Sequence, residues 1–392
     1  MFEPAQLRHS ARDLLRAPRL ALNAKQIGVQ LRGLLLAYPL YFMTTYLALL
    51  LSGQPVSAIW DRYGLMPFFL PGNHLLEGTA AWVIFMAGVT AGVAILLVAG
   101  TAGSRIAYRE LQGDSIYGLR DGWLFAWRNW RAVIFSPVTL LGIAGLMLLL
   151  AMGMALLGKL PYVGELIFIG LFPLYLLGAM FTLLTIFALA VLLAFAPAIV
   201  ATTEDDAMGA AFKAFAAAWG QFWRALLYPI GVKLLAVLAL LALGWALTLG
   251  YHFVLAVFGA DWLMGDKLGP IMAWAEELVF PGYHAWFSYI PGHSAPATAL
   301  TSGLDAAALS GWDAFTGSLM ALVLGVVYLA PVAYGLAVIS AGQTLAYLAI
   351  SWRLDGVNLL ERPTAEPDEE EDSEPSAGKA VEPDATAGAS EV

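Results

Sequence analysis

Charged residues fall along this chain in islands, and six long apolar stretches lie between them. Residues 33–60, 78–104, 132–158, 166–203 and 314–352 contain no Asp, Glu, Lys or Arg, and 225–260 contains only Lys233. Each stretch exceeds the roughly 20 apolar residues that cross a bilayer. The apolar positions are continuous rather than alternating, and backbone amides in hydrocarbon need partners within the same segment, so the pattern predicts helices and not barrel strands. The expected fold is an all-α integral membrane protein. Its six spans lie near 33–53, 79–103, 132–157, 174–200, 225–250 and 317–350, within a membrane domain covering 33–352. No polar turn divides 166–203, so it is read as one span, with Pro173 ending a short outer segment ahead of it. Pro331 reads as a kink inside one long helix, where neighbouring helices can satisfy the freed carbonyl.

The cations orient these spans, because Lys and Arg are retained on the cytoplasmic side. Sixteen of the 20 fall in segments 1–32, 104–131, 202–224 and after 352, whereas the alternate loops hold only Arg62, Lys159 and Lys267. Both termini are therefore expected in the cytoplasm, and 260–316 becomes a large outer loop. Charge alone places 202–224 weakly, since Glu204, Asp205 and Asp206 accompany Lys213 and Arg224.

Composition excludes a soluble fold: 60% of the residues are hydrophobic and 12% charged, against roughly 45–50% and 25% in globular domains. The net charge of −9 comes from one place, because eleven of the 29 acids but two of the 20 bases follow residue 360. A cytoplasmic tail, 353–392, is expected to be disordered from about 361, since it carries almost no large apolar residue to offset the entropy of ordering. It suits a solvated terminus or a docking arm for a basic protein partner. The absence of cysteine excludes disulfides, thiolate metal sites and cysteine nucleophiles. Residues 1–32 lack the apolar core of a secretion signal. Basic with interspersed leucines, they predict an amphipathic segment lying on an anionic inner leaflet.

An internal repeat joins a loop to the span after it. Residues 114–137 read DSIYGLRDGWLFAWRNWRAVIFSP, and 205–229 read DDAMGAAFKAFAAAWGQFWRALLYP. Both contain Asp, Gly four residues later, Ala-Trp, Trp-Arg-Ala, two aliphatics, an aromatic and then Pro. RGLLLAYP at 32–39 is a weaker third copy. Three units, each an interfacial amphipathic helix followed by a helical hairpin, account for six spans and put 202–224 on the same side as 104–131. Ile116, Leu119, Trp123, Trp127 and Trp130 form one helical stripe, and Met208, Phe212, Phe215, Trp219 and Phe222 form the other. Trp favours the headgroup region and Arg pairs with phosphate. Trp123, Trp127, Trp130, Arg131, Trp219, Trp223 and Arg224 are accordingly the candidate interface residues, with membrane lipids, anionic ones among them, as the candidate partner.

The stretch FAPAIVATTEDDAMGAAFKAFAAAWGQFWRAL, with Ala-Pro-Ala-Ile-Val closing one span and Trp-Arg opening the next, resembles bacterial six-span proteins of uncharacterised function related to the membrane domain of glycerophosphodiester phosphodiesterases. The resemblance is best over about 110–260. It implies a six-span fold in a bacterial inner membrane and not the phosphodiesterase activity, which some relatives carry in a soluble domain that is not found in this sequence.

Chemistry is sparse. No phosphate-binding glycine loop, helical zinc motif or nucleophile elbow is present. Glycines such as those of 87–103 sit within spans, where small residues let helices approach closely. The cations border spans rather than covering a soluble surface, which argues against nucleic-acid binding. His74, His284 and His293 each follow a Pro-Gly turn in outer loops that also carry Asp266, Glu276 and Glu277, and they would form a metal site only if those loops converge. No cofactor and no catalytic residue is expected. Inside the spans, Lys233 is the one full charge; Thr185 and Gln343 are candidate partners for it if it faces the bundle interior. Two functions remain: a non-enzymatic protein that organises lipids or partner proteins, or a transporter or channel for a small, anionic or lipid substrate using the bundle around Lys233.

Overall fold

The computed structural model describes residues 5–63, 76–260, 262–279 and 311–361. All regular structure among them is helical: α1 (Ala11–Leu14), α2 (Ala17–Ala21), α3 (Ala24–Leu51), α4 (Val56–Tyr63), α5 (Thr79–Leu111), α6 (Leu119–Arg128), α7 (Trp130–Leu157), α8 (Val163–Thr203), α9 (Ala207–Gly220), α10 (Phe222–Phe258), α11 (Gly265–Val279) and α12 (Trp312–Asp355). A short 3-10 turn follows at Leu359–Glu361. Six of them, α3, α5, α7, α8, α10 and α12, are long and apolar enough to cross a membrane. This is a multi-pass membrane protein by length and composition.

Small residues decide how these helices meet. Without a hydrophobic drive between helices in lipid, association relies on close van der Waals packing. A Cβ on Gly33 would collide with Ala99, and one on Gly88 with Thr44, so α3 and α5 pack antiparallel at backbone distance. The central helix is α12, which touches α10, α11, α3, α5, α2 and α8. Its half from Ala333 to Ile350 is almost wholly buried. The main core gathers around that half: Ala107 of α5, Phe195 and Ile199 of α8, Ala214 of α9, Val232 of α10 and Ala17 of α2. Far from the termini the helices turn their apolar surfaces outward, as lipid-facing surfaces do. Leu149 of α7, Leu166 and Leu177 of α8, and Phe253 of α10 are all exposed.

Three expectations need correction. Pro173 does not end a separate segment; it lies inside α8, which runs unbroken from Val163 to Thr203. Pro331, by contrast, lies inside one continuous helix, α12, as expected. The basic N-terminal segment is not one surface helix. It breaks at Leu15–Arg16 and again at Leu22–Asn23, where the Asn23 side chain accepts from Lys25 N to start α3. Its small face, Ala17 and Ala21, is buried in the main core. Tyr334 Oη donates to the Pro18 carbonyl at 3.0 Å, the His9 ring stacks on Trp352 at 4.6 Å, and Ala5 N donates to Leu111 O. The segment is therefore docked against α12, with Arg8, Arg12, Arg16 and Arg19 left exposed.

The third correction concerns 260–316, expected as a large outer loop. Part of it is α11, packed along α12 and α10 through Met272, Ala275 and Val279 against Ala321 and Leu324. Trp274 is seated on Gly317, where a Cβ would clash with its ring, and Glu276 accepts a hydrogen bond from Tyr251 Oη of α10. The tail beyond residue 361 and His74, His284 and His293 lie outside the described residues.

Candidate functional site

The end of the bundle that carries both described termini holds the buried polar groups and two amphipathic helices. Two short helices are clamped there. Asp121 Oδ2 accepts from Gly118 N at 2.9 Å to open α6, and Asp206 Oδ1 accepts from Gly209 N at 2.8 Å to open α9. Acceptors at these positions satisfy amides that have no partner in the first turn. Each helix is followed by a single non-helical residue, Asn129 or Gln221, before a spanning helix begins.

Both helices turn small residues to the bundle. Gly122 and Ala126 of α6 are buried, with Gly122 pressed on Ile106 of α5. In α9 the buried set is Ala210, Ala211, Ala214, Ala217 and Ala218. The aromatic stripes are divided by this packing. Trp127, Trp219 and Trp223 are 68%, 74% and 70% exposed, and Met208 and Phe212 are also exposed. Trp123 and Trp130 instead pack into a cluster with Val29, Val98 and Ile106. Phe215 meets the Phe181 ring and Phe222 the Phe187 ring. So the expected stripe of α6 contributes one outward ring, Trp127, rather than three. Arg131 is exposed, its guanidinium 5.7 Å from the centre of the Trp130 ring; Arg224 Nη1 donates to Gln221 Oε1.

Beneath these helices runs a layer of buried polar groups. Gln30 Nε2 donates to Ser340 Oγ at 2.9 Å and to Ala99 O at 3.3 Å. Ser104 Oγ and Thr344 Oγ1 both donate to Ser340 O. Arg105, 4% exposed, spans from α5 to the end of α8, with Glu204 and the Ala201 carbonyl as its acceptors. Its guanidinium also lies 4.2 Å from the Phe125 ring centre of α6, a cation–π contact that ties the surface helix to the layer. One turn from Gln30, Gln26 is 0% exposed and both its amide atoms lack a hydrogen-bond partner. Sequence reasoning singled out none of these residues as a group. Arg105 was counted as a loop cation, although it sits within a run of Gly and Ala (Ala102, Gly103, Ala107) that signals close packing.

The intramembrane set does not assemble. Lys233 is exposed on the outward side of α10. Thr185 donates its hydroxyl to Phe181 O in its own helix, and Gln343 is buried in α12. Val232 packs on Gly342, two residues from Ser340, so Lys233 stands at the level of the polar layer. Beyond it, 234–258 offers about 37 Å of uncharged helix, enough to cross a bilayer. Among the described residues no hydrogen bond joins Lys233 to Thr185 or Gln343.

On the outer side of the same end, Arg128 and Arg131 share an open groove with Glu204, Asp205 and Asp206, floored in part by Phe135. One turn farther along α7, Thr139, Leu140 and Ile143 line an apolar crevice of about 120 Å³ closed by Phe181, Met208 and Phe215. Among the described residues no group of three or more His, Asp or Glu is placed to hold a metal ion. No protein-family model matches this chain, and neither a curated protein nor a solved structure does so.

Proposed function

We propose that this chain is a non-enzymatic membrane protein of the cytoplasmic (inner) membrane that organises lipid around the tryptophan-bearing end of its helix bundle, with both termini in the cytoplasm. The observation that carries this is the two-faced packing of α6 and α9. Their small residues are buried against the bundle while Trp127 and Trp219, together with Trp223 at the start of α10, are exposed. Exposed tryptophan rings are costly in water and favourable at headgroup level, where the ring and a neighbouring guanidinium each find a partner. Apolar spans suffice for insertion, so the outward rings are free to serve lateral lipid contact. The duplicated loop-and-span pattern and the resemblance to six-span membrane proteins support the same reading.

The test is native mass spectrometry of the gently extracted protein, counting retained phospholipids. Trp127→Ala combined with Trp219→Ala and Trp223→Ala should insert normally and keep the wild-type melting temperature while losing most bound lipid. Unchanged lipid content in that variant would remove the basis of the proposal.

A further inference from the structure

We infer that the groove between α7 and the α8–α9 corner binds one phospholipid of a particular kind, a phosphatidylethanolamine. The inference rests on the reading above that this end of the bundle lies at a lipid headgroup layer.

The groove carries both signs of charge. Arg128 and Arg131 are exposed, and among the described residues neither has an ion-pair partner. A phosphodiester between them would take charge-assisted hydrogen bonds from both guanidiniums. Across the same groove the carboxylates are only partly used. Glu204 gives Oε1 to Arg105, Asp205 gives Oδ2 to Lys213 and Thr203, and Asp206 gives Oδ1 to Gly209 N. The second oxygens of Asp206 and of the half-exposed Glu204 remain as acceptors. Charge complementarity then calls for a headgroup with a phosphate and, beside it, a cation able to donate hydrogen bonds.

That requirement separates the common headgroups. A phosphatidylglycerol brings no cation and sets its phosphate near three carboxylates. A choline headgroup has a cation but no N–H. An ethanolamine headgroup supplies three N–H donors next to the phosphate. The acyl part is provided for as well. Phe135 lies one helical turn before Thr139 on α7, and Ala207 adjoins Met208 on α9, so the apolar crevice between α7, α8 and α9 begins next to the headgroup groove.

The full chain, loaded with equal amounts of phosphatidylethanolamine, phosphatidylcholine and phosphatidylglycerol of identical acyl composition, is read by native mass spectrometry. The ethanolamine lipid should be retained over the choline lipid by roughly twofold to fivefold, the range of a partly exposed charge pair. Asp206→Asn keeps the helix cap, because Asn caps as well as Asp. It should bring the ratio down toward one at unchanged melting temperature. Arg128→Gln with Arg131→Gln should reduce retention of all three lipids. Equal retention of ethanolamine and choline lipids by the wild type, preference for phosphatidylglycerol, or a preference that survives Asp206→Asn overturns the assignment. Each of those results leaves the broader lipid-organising function standing, since the tryptophan variant tests that independently.

Discussion

Arg105 Nη2 meets Glu204 Oε1 at 2.6 Å while Nη1 of the same guanidinium donates to the Ala201 carbonyl at 2.8 Å, so one buried cation fastens the end of α5 to the end of α8. The two partners differ in surroundings: the Arg105 side chain is 5% exposed and that of Glu204 49%. Removing the acid strands a buried charge, whereas removing the base leaves a carboxylate that water can solvate. Glu204→Ala should therefore cost roughly 1–3 kcal/mol, held to that range by the Ala201 carbonyl and the Phe125 ring. Arg105→Met should cost less. The double variant should melt above Glu204→Ala alone, and a double variant melting below both singles would show that the buried charge is not the dominant cost.

Close helix contact gives a second prediction. A Cβ on Gly342 would stand 2.7 Å from Val232 Cγ1, and both residues are fixed in long helices. Gly342→Ala should destabilise by roughly 1–3 kcal/mol, as overpacking does. Gly145, with nothing within 4 Å of its added Cβ, should accept Ala without loss. Val232→Ala should restore most of the stability of Gly342→Ala, and thermal unfolding of the four proteins in one detergent decides it.

The docked N-terminal segment should respond to acid through His9. Burial lowers its pKa below the usual 6.5, with Asp13 and a backbone hydrogen bond at Leu348 opposing and Arg353 adding to the fall. The neutral ring is the docked form. Between the lowered value and 6.5 the undocked state binds more protons, so docking strengthens as pH rises through that window and is complete above it. Hydrogen exchange across residues 5–22 should accelerate as pH falls from about 7.5 to about 5.5, after correction for intrinsic rates. His9→Phe preserves the stack on Trp352 and should abolish that response. An equal response in His9→Phe would assign it to another group.

The six long helices were legible because bilayer thickness sets a length that uncharged runs reveal directly. Elements were missed where polar residues interrupt an apolar pattern. Helix α11 carries Asp266, Lys267, Glu276, Glu277 and Pro270 and so reads as a loop. Yet Leu268, Met272, Ala275 and Val279 keep steps of four, three and four, and those are the residues that pack on α10 and α12. The same spacing of Ala17 and Ala21 marks the buried side of α2, where arginines on the other side suggested a surface helix. The surroundings of Lys233 were not legible for a different reason: Gly220 lies against Leu354 and Val232 against Gly342, contacts between segments far apart in the chain. One face of the first three turns of α10, Ala225, Tyr228, Pro229 and Val232, is buried against other helices, a contact that a linear sequence does not encode. The Arg105–Glu204 clasp joins residues far apart in the chain, and no local pattern announces it.

Six crossings with the tryptophan-bearing end in the cytoplasm can be tested most directly by single-cysteine labelling, since the chain has no cysteine of its own. Ser115, Ala216, Glu77 and Leu160 are all exposed in the folded protein, so reactivity at each reports the side of the membrane and not burial. With an impermeant maleimide on intact cells, Ser115→Cys and Ala216→Cys should stay unlabelled until the membrane is opened, while Glu77→Cys and Leu160→Cys should react at once. Labelling of Ala216→Cys but not Ser115→Cys would contradict the number of crossings, and labelling of both with neither Glu77→Cys nor Leu160→Cys would invert the orientation.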